Sequence, residues 1–263
     1  MTYQNPSFTR KDFQREKEAG RTKLIHSGRL FNADVYRLTY GDHTWIVKDF
    51  ADRPFYVRWI ARALLAHEVT VLKRLEGVPD LSRHVFRLDA AALASEFLPG
   101  MSLLSADPRR ITPEFLRRLE TLTRRMHRAG VVHLDLRSLT NVIIDSEGNP
   151  GIIDFQSALV TDHLPRRLVR TLRAIDLSGA CKKWQKFQPE AMGPVRRRFF
   201  HKINRIRRWW VFKGYLGLKL KKRPRHSYKS NASLSAPTLW LLSSLSSGSG
   251  ASGQRITFCP TTK

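Results

Sequence analysis

Two acidic residues and an amide stand close together in the second half of the chain. Asp135 ends a His-Leu-Asp triplet, Asn141 follows six positions later, and Asp154 begins an Asp-Phe-Gln triplet. Far upstream, Lys48 ends an apolar Trp-Ile-Val-Lys run, and Glu68 follows it by 20 positions. Phosphoryl transfer to a hydroxyl needs these side-chain types: a carboxylate to orient the hydroxyl, oxygen ligands for Mg²⁺ and a cation to offset phosphate charge. The pattern therefore favours that chemistry.

The order of these residues resembles the protein-kinase-like superfamily, with its catalytic loop, downstream asparagine and Asp-Phe-Gly triplet. The resemblance implies that Asp135 positions the attacking hydroxyl and that Arg137 faces the γ-phosphate. It implies that Asn141 and Asp154 bind Mg²⁺, and that Lys48 grips the α- and β-phosphates of ATP. ATP and Mg²⁺ are accordingly the expected cofactors.

The upstream part of the resemblance supplies a nucleotide pocket. Glu68 corresponds to the ion-pair partner of the nucleotide-binding lysine. Glu96 and Leu98 fall in the segment that corresponds to the hinge, whose backbone groups face adenine. The resemblance extends from about Leu24 to Leu159.

The glycine-rich nucleotide loop of the family is altered in this chain. Gly28 is kept, whereas Leu30 and Ala33 stand where the other two glycines would be. Val35 keeps its place over the base. Side chains at the two replaced positions predict a looser cradle for the phosphates, because only glycine allows close backbone approach.

The catalytic segment also departs from the family pattern. Five residues separate Asp135 from Asn141 where the family has four, and Gln156 replaces the glycine of Asp-Phe-Gly. No Ala-Pro-Glu segment follows. These features look like compact atypical members, such as RIO-type kinases and the bacterial kinases of lipopolysaccharide core sugars. His133 is interpreted as a structural hydrogen-bonding group, and Asp176 as either a helix-capping carboxylate or a site residue.

Apolar spacing and turn residues predict the elements that carry these side chains. The predicted elements are strands over 34–40 and 44–50 around a Gly41-Asp42 turn, a helix over 53–75, strand character over 85–97, a helix from the Thr112 cap to Gly130, and short apolar segments over 131–136, 141–144 and 151–153. The expected fold class is α+β, in the form of a two-lobed protein-kinase-like fold with a small β-rich lobe and a reduced helical lobe.

This order of elements predicts five regions along the chain. They are a loose N-terminal arm ending in a short helix (1–22), a β-rich lobe (23–98), a helical lobe (99–192), a basic aromatic segment (193–229) and a Ser-rich low-complexity tail (230–263).

Positive charge is concentrated in the C-terminal part of the chain. The net charge is +25, and residues 191–263 hold sixteen Lys or Arg and no Asp or Glu. Within 193–229 the basic residues alternate with aromatic ones, which suits an anionic membrane surface, the preferred partner. Nucleic acid binding and a solvated basic helix packed on the lobe remain the alternatives.

Composition narrows the class of protein further. A hydrophobic content of 41% is enough for a core and excludes a fully disordered chain. Two cysteines, Cys181 and Cys259, cannot form a disulfide framework or a zinc site. Because no secretory signal and no apolar run of about 20 residues is present, we expect a cytoplasmic protein, or one peripheral on the inner face of the membrane.

Three functions are compatible with these observations. The first is a phosphotransferase that moves the γ-phosphate of ATP to Ser or Thr of a protein. The second is a kinase for a lipopolysaccharide core sugar at the cytoplasmic membrane face. The third is a pseudokinase that acts as a membrane or RNA tether through its basic C-terminus.

Overall fold

The mixed α+β class expected from the sequence is confirmed. A computed structural model describes residues 8–29, 32–81 and 83–209. The helices are α1 (Arg10–Glu18), α2 (Phe55–Arg74), α3 (Pro113–Arg128), α4 (Arg166–Phe187) and α5 (Gly193–Trp209). The strands are β1 (Thr22–His26), β2 (Asp34–Tyr40), β3 (His43–Asp49), β4 (Val85–Arg87), β5 (Ala92–Glu96), β6 (Met101–Ser102), β7 (Val131–Val132), β8 (Val142–Ile144), β9 (Pro150–Ile152) and β10 (Leu159–Val160).

The first five strands form one antiparallel sheet in the order β1-β2-β3-β5-β4. The predicted hairpin is confirmed, with β2 and β3 turning at Gly41. Along β3, Trp45 and Val47 are buried on one face of the sheet. Since successive side chains point to opposite faces, Lys48 lies on the other face. Val35 pairs with Lys48 across the hairpin and therefore shares that face.

Helix α1 covers the face of the sheet that carries Trp45. Its N-terminal cap is a reciprocal pair, in which Thr9 and Asp12 each accept a backbone N–H from the other. Phe8 and Phe13 are buried in one apolar cluster with Trp45 and Val47. The short helix predicted at the end of the N-terminal arm is α1, and it packs on the sheet; residues 1–7 lie outside the described residues.

Helix α2 is the long helix predicted after the hairpin. Val57, Ala61 and Leu65 recur at intervals of four and are buried, which is the spacing of one helix face. They pack with Phe50 and Leu93 of the sheet region. This packing fixes the position of Glu68, one turn further along the same buried face.

The predicted strand over 85–97 is two strands, β4 and β5, which pair with each other. The turn between them contains neither Gly nor Pro. Instead, the Asp89 carboxylate accepts a hydrogen bond from the Ala91 N–H at 2.6 Å, which bends the backbone. An apolar sequence around a single aspartate gave no signal strong enough to place this break.

The predicted start of α3 is confirmed, because Thr112 accepts a hydrogen bond from Phe115 N and proline follows the cap. Phe115, Leu119, Leu122 and Met126 lie in the largest apolar cluster of the described residues. In the predicted apolar segment 131–136, only Val131 and Val132 form a strand. The remainder is loop, and Leu134 has a φ of 64°.

Helix α5 begins the segment that was predicted to be a basic surface region. Phe200 is buried in the same apolar cluster as Phe115, and Phe199 packs against it. For residues 193–209 this contact supports the alternative of a basic helix packed on the lobe. Residues 210–229 and the Ser-rich tail, 230–263, lie outside the described residues. No helix among those described has the length and apolar composition needed to cross a bilayer.

Candidate functional site

The ammonium group of Lys48 lies between two carboxylates from distant parts of the chain. Its Nζ donates to Glu68 Oε1 at 2.6 Å and to Asp154 Oδ1 at 3.1 Å. Lys48 comes from β3, Glu68 from the buried face of α2, and Asp154 from the loop after β9. The predicted pairing of Lys48 with Glu68 is therefore present, and Asp154 joins it.

These contacts set the charges of Lys48 and Asp154. Burial disfavours the charged form of Lys48, but Glu68 and Asp154 outweigh it and raise its pKa. Burial likewise acts against ionised Asp154, and the ammonium of Lys48 reverses this and lowers the Asp154 pKa. Both groups are thus held in their charged forms. Asp154 has a φ of 65°, a left-handed conformation that is costly for a residue with a side chain.

Asp135 and Asn141 contact each other despite the extra residue between them. Asn141 Nδ2 donates to Asp135 Oδ2 at 2.9 Å and to the Asp135 carbonyl at 3.2 Å. Thr140 donates its hydroxyl to Asn141 Oδ1 at 2.9 Å. The longer loop is taken up by a turn in which Ser138 and Thr140 hydrogen-bond each other. The insertion therefore leaves Asp135 and Asn141 in contact.

The Asp135 carboxylate has a raised pKa. Burial is the main cause, and His133 and the hydrogen bond from Asn141 act in the opposite direction. The charge of Asp154 raises it further, so the two carboxylates interact. A carboxylate with a raised pKa is a stronger proton acceptor than an ordinary aspartate.

A buried carboxylate on α4 fixes the loop that carries Asp135. Asp176 accepts backbone N–H bonds from His133 and Leu134, each at 2.7 Å, and lies 3.1 Å from His127 Nε2. Asp176 lies well inside the helix and is 1% exposed, so the helix-capping interpretation is wrong. Its two hydrogen bonds hold Leu134 in its positive-φ conformation and so orient Asp135.

His133 joins the two halves of the site. Its Nε2–H donates to the Ile153 carbonyl at 3.1 Å, next to Asp154. Its Nδ1 accepts from the Asp135 N–H at 3.3 Å. The ring also packs on Phe155, with centroids 5.0 Å apart. These contacts support the interpretation of His133 as a structural hydrogen-bonding group.

Lys183 is a site residue that the sequence analysis missed. It is completely buried, and its Nζ donates to the carbonyls of Leu136 and, at 3.2 Å, Ser138, both in the loop after Asp135. Burial and the positive charge of Lys182 lower its pKa to about 7, against an opposing effect of Asp135.

A signal for Lys183 was present in the sequence. Asp176, Gly179 and Lys183 recur at intervals of three and four and thus share one face of α4. A Cβ at Gly179 would lie 2.8 Å from the Leu136 carbonyl carbon, so only glycine allows this close approach of helix and loop. A helix face with an acid, a glycine and a lysine at this spacing indicates that the helix packs closely against a loop and hydrogen-bonds to its backbone N–H and carbonyl groups.

Arg137 is directed towards the C-terminal helices. Its guanidinium donates to the Ser178 hydroxyl at 3.1 Å and lies over the Phe200 ring at 5.6 Å. These contacts are with α4 and α5, and neither is with Asp135 or Asp154. Arg137 therefore joins the loop after Asp135 to both α4 and α5.

The segment around Gly28, which was expected to form the nucleotide loop, contacts the start of α2. Arg53 donates to the carbonyls of Gly28 and Asn32, at 2.9 and 3.0 Å, and pairs with Asp34 at 2.6 Å. A Cβ at Gly28 would overlap the Asn32 carbonyl oxygen, so the loop folds back on itself at its one glycine. Ala33 is buried and packs with α2. Leu30 lies outside the described residues.

The predicted hinge connects the sheet to the strands beyond it. Glu96 ends β5, and the following Phe97 donates its N–H to the Thr44 carbonyl at 2.8 Å. Leu98 is half-buried and packs so closely on Gly151 of β9 that a Cβ there would overlap it. Leu98 therefore joins the sheet to the β8-β9 hairpin that precedes Asp154.

Neither a metal cluster nor a relative identifies this site. Within residues 8–29, 32–81 and 83–209, no three His, Cys, Asp or Glu side chains form a group that could hold a metal ion. No model of a known protein family matches the chain. No curated protein sequence matches it either.

Proposed function

We propose that the protein is a Mg²⁺-dependent phosphotransferase with a two-lobed protein-kinase-like fold, which moves the γ-phosphate of ATP to a hydroxyl. The observation that carries the proposal is the Lys48 ammonium held between Glu68 and Asp154, residues 20 and 106 positions away along the chain. A strand, a helix and a loop have converged on one cation, beside an aspartate whose pKa responds to Asp154.

The nucleotide would lie on the sheet face that carries Lys48. Val35 shares this face and would offer an apolar surface for the base, while Glu96 and Leu98 lie in the segment that corresponds to the hinge. Lys48, kept charged and oriented by Glu68, is the cation that binds phosphate oxygens. Asp154 contacts the same ammonium at 3.1 Å, so a bound phosphate oxygen would share or take over that contact.

Asp154 and Asn141 are the residues that would hold Mg²⁺. Their oxygen atoms suit this cation, which binds through one or two carboxylates together with substrate phosphates. The Asp154 side chain is 48% exposed, so its carboxylate is open to such a ligand. Bound there, Mg²⁺ would neutralise charge on the phosphate oxygens.

Asp135 is the catalytic residue for the acceptor. Its carboxylate orients the attacking hydroxyl and takes the proton as the new oxygen–phosphorus bond forms and the bond to the β-phosphate oxygen breaks. The raised pKa of Asp135 favours this proton transfer. Arg137 is a positioning residue in this scheme, because it acts on the loop through Ser178 and Phe200.

The acceptor that we propose is Ser or Thr of a protein, with a lipopolysaccharide core sugar as the alternative. The pseudokinase tether is the second candidate function. Burial of Ala33 against α2 favours it, since a loop packed into the core is less able to close over phosphates.

The test is Mg²⁺-dependent phosphate incorporation from ATP by the full chain, with protein and lipopolysaccharide extracts as acceptors. Asp135→Asn and Asp154→Asn should each lower the rate by about 100-fold or more. Asp42→Asn, the same change at the exposed hairpin turn, is the matched control and should leave the rate unchanged. ATP binding without turnover in the unmodified chain would favour the tether and refute the enzyme.

A further inference from the structure

The first turns of α2 expose four large apolar side chains on one face. Phe55 is 78% exposed, Tyr56 47%, Trp59 75% and Ile60 44%. They stand at positions one, two, five and six of the helix, which is the spacing of a continuous stripe. We name this stripe the α2 aromatic face. The buried residues of α2 point the other way, into the sheet region, so the stripe takes no part in the core.

Exposure of this much apolar surface in one place indicates a partner. Single exposed apolar residues are ordinary on protein surfaces, but a contiguous patch of aromatic side chains is characteristic of a binding surface. Trp, Tyr and Phe are also the side chains that enter the boundary between lipid headgroups and acyl chains.

Two arginines flank the α2 aromatic face, and their positive charge favours a negatively charged partner. Arg58 and Arg62 are both exposed and lie one helical turn apart. The first acidic residue of α2 is Glu68, which is buried and paired with Lys48. Asp52, just before the helix, pairs with Lys17 at 3.6 Å. The start of the helix is therefore aromatic and positively charged. A partner with matching properties has a negatively charged surface above an apolar layer.

We propose that the α2 aromatic face docks on an anionic lipid bilayer, with the aromatic rings at the boundary between headgroups and acyl chains and Arg58 and Arg62 against the phosphates. A second exposed apolar pair, Leu24 and Ile25 at 51% each, lies within four positions of Gly28. Gly28 is tied to the start of α2 by Arg53. The proposal does not rest on phosphoryl transfer, so either proposal can fail alone.

The docking surface is connected to the candidate nucleotide site. Arg53 precedes Phe55 by two positions and holds the Gly28 and Asn32 carbonyls, and the same helix carries Glu68. Binding of a bilayer to the start of α2 could therefore change the position of both the segment around Gly28 and Glu68, the ion-pair partner of Lys48.

The first test is co-sedimentation of the full chain with vesicles of phosphatidylcholine, alone or with about one third phosphatidylglycerol. Phe55→Ser with Trp59→Ser should weaken binding to the anionic vesicles by about tenfold or more. Arg58→Glu with Arg62→Glu should do the same and should abolish the preference for anionic lipid. The matched control is Met101→Ser with Leu104→Ser, which removes 48% and 59% exposed side chains elsewhere. Binding to the anionic vesicles that is equal for the unmodified chain, the control and both test variants would overturn the proposal.

A photo-crosslinker at position 59 identifies the occupant directly. Trp59→benzoylphenylalanine keeps an aromatic group there, and irradiation with the anionic vesicles should attach lipid to the protein. Crosslinks to residues 210–263, to a second copy of the chain or to an added protein, in place of lipid, would each overturn the commitment to a bilayer. Phosphate incorporation by the Phe55→Ser and Trp59→Ser variant towards a soluble acceptor should be unchanged.

Discussion

Two lysines of the site have opposite electrostatic environments. Lys48 has two carboxylate partners and a raised pKa, whereas Lys183 has two carbonyl partners and a pKa lowered to about 7. Carbonyl dipoles do not replace the water that a buried ammonium loses. Lys183 therefore changes its charge near neutral pH while Lys48 does not.

This difference predicts a pH dependence of stability. The unfolded chain, with a lysine pKa of 10.5, binds more protons than the folded one between about pH 7 and that value. The free energy of unfolding should therefore rise with pH in this range, with a contribution of up to about 1.4 kcal/mol per pH unit from Lys183. Urea denaturation between pH 6 and 9.5, at intervals of about half a unit, measures it.

Lys183→Met should remove this contribution. The control is Lys186→Met, an exposed lysine three positions further along α4, which should keep the slope of the unmodified protein. A Lys183→Met curve that runs parallel to the unmodified one would show that Lys183 does not titrate in this way.

At the level of single residues, the sequence singled out most of the side chains that the structure brings together, and of their contacts it predicted the Lys48–Glu68 pair. Lys48 and Glu68 pair, Asp135 and Asn141 pair, and Asp154 contacts Lys48. The direction of the Arg137 side chain could not be predicted, because Ser178 and Phe200 on distant helices decide it. Lysine on a helix is usually solvated, so the spacing of Asp176, Gly179 and Lys183 was a weaker signal for Lys183 than the position of α4 against the loop.

Helix α4 is the element on which the candidate site is built. Asp176 satisfies two backbone donors of the loop, and Lys183 satisfies two acceptors seven positions later. The helix thus replaces the hydrogen bonds that a strand would have given to residues 133–138. The loop can keep an irregular backbone in a buried position because α4 pairs its polar groups.

Removing the Asp176 carboxylate should therefore unfold the loop. Asp176→Ala leaves the N–H groups of His133 and Leu134 buried without an acceptor, and should lower the free energy of unfolding by about 3 kcal/mol or more. Asp176→Asn, which keeps one oxygen, should cost less. Asp162→Ala, at a half-exposed ion pair with Arg74, is the control and should cost less than about 1 kcal/mol. A small effect of Asp176→Ala would contradict the role given to α4.

Local signals decided which elements could be predicted. The start of α3 was found because Thr112 and Pro113 are both typical of a helix start, and the β2-β3 hairpin because glycine marks its turn. The break between β4 and β5 rests on one hydrogen bond of Asp89 in an apolar run. Helix α4 has hydrogen-bonding polar groups on its buried face. Its sequence therefore lacks the regular spacing of apolar residues from which a buried helix is predicted.

The N-terminal helix is part of the sheet region at the scale of the whole molecule. Phe8 lies 5.8 Å from Trp45 and 5.3 Å from Phe86, between ring centroids, and Phe13 lies 5.6 Å from Tyr36. The sequence did not predict this, since α1 is highly charged and offers few apolar residues. The contacts of Phe8 and Phe13 with residues far along the chain form only when the sheet brings its strands together, so no local sequence pattern predicts them.

We expect α1 to be required for stability. Phe13→Ala should lower the free energy of unfolding by about 3 to 5 kcal/mol, because it leaves a cavity beneath the helix. Phe55→Ala removes the same side chain from the exposed α2 aromatic face and should change stability by less than about 0.5 kcal/mol. Urea denaturation of both variants at one pH compares them. Equal effects would show that α1 is dispensable.

The position of α1 also has a consequence for how the chain folds during its synthesis. Phe8 and Phe13 leave the ribosome well before Phe86 and Ala94, which complete their apolar cluster. The central strand β3 likewise waits for β5, its partner in the sheet order. Until about residue 96 has emerged, the nascent chain must carry unburied aromatic residues and an unpaired strand edge, which are the features that chaperones bind.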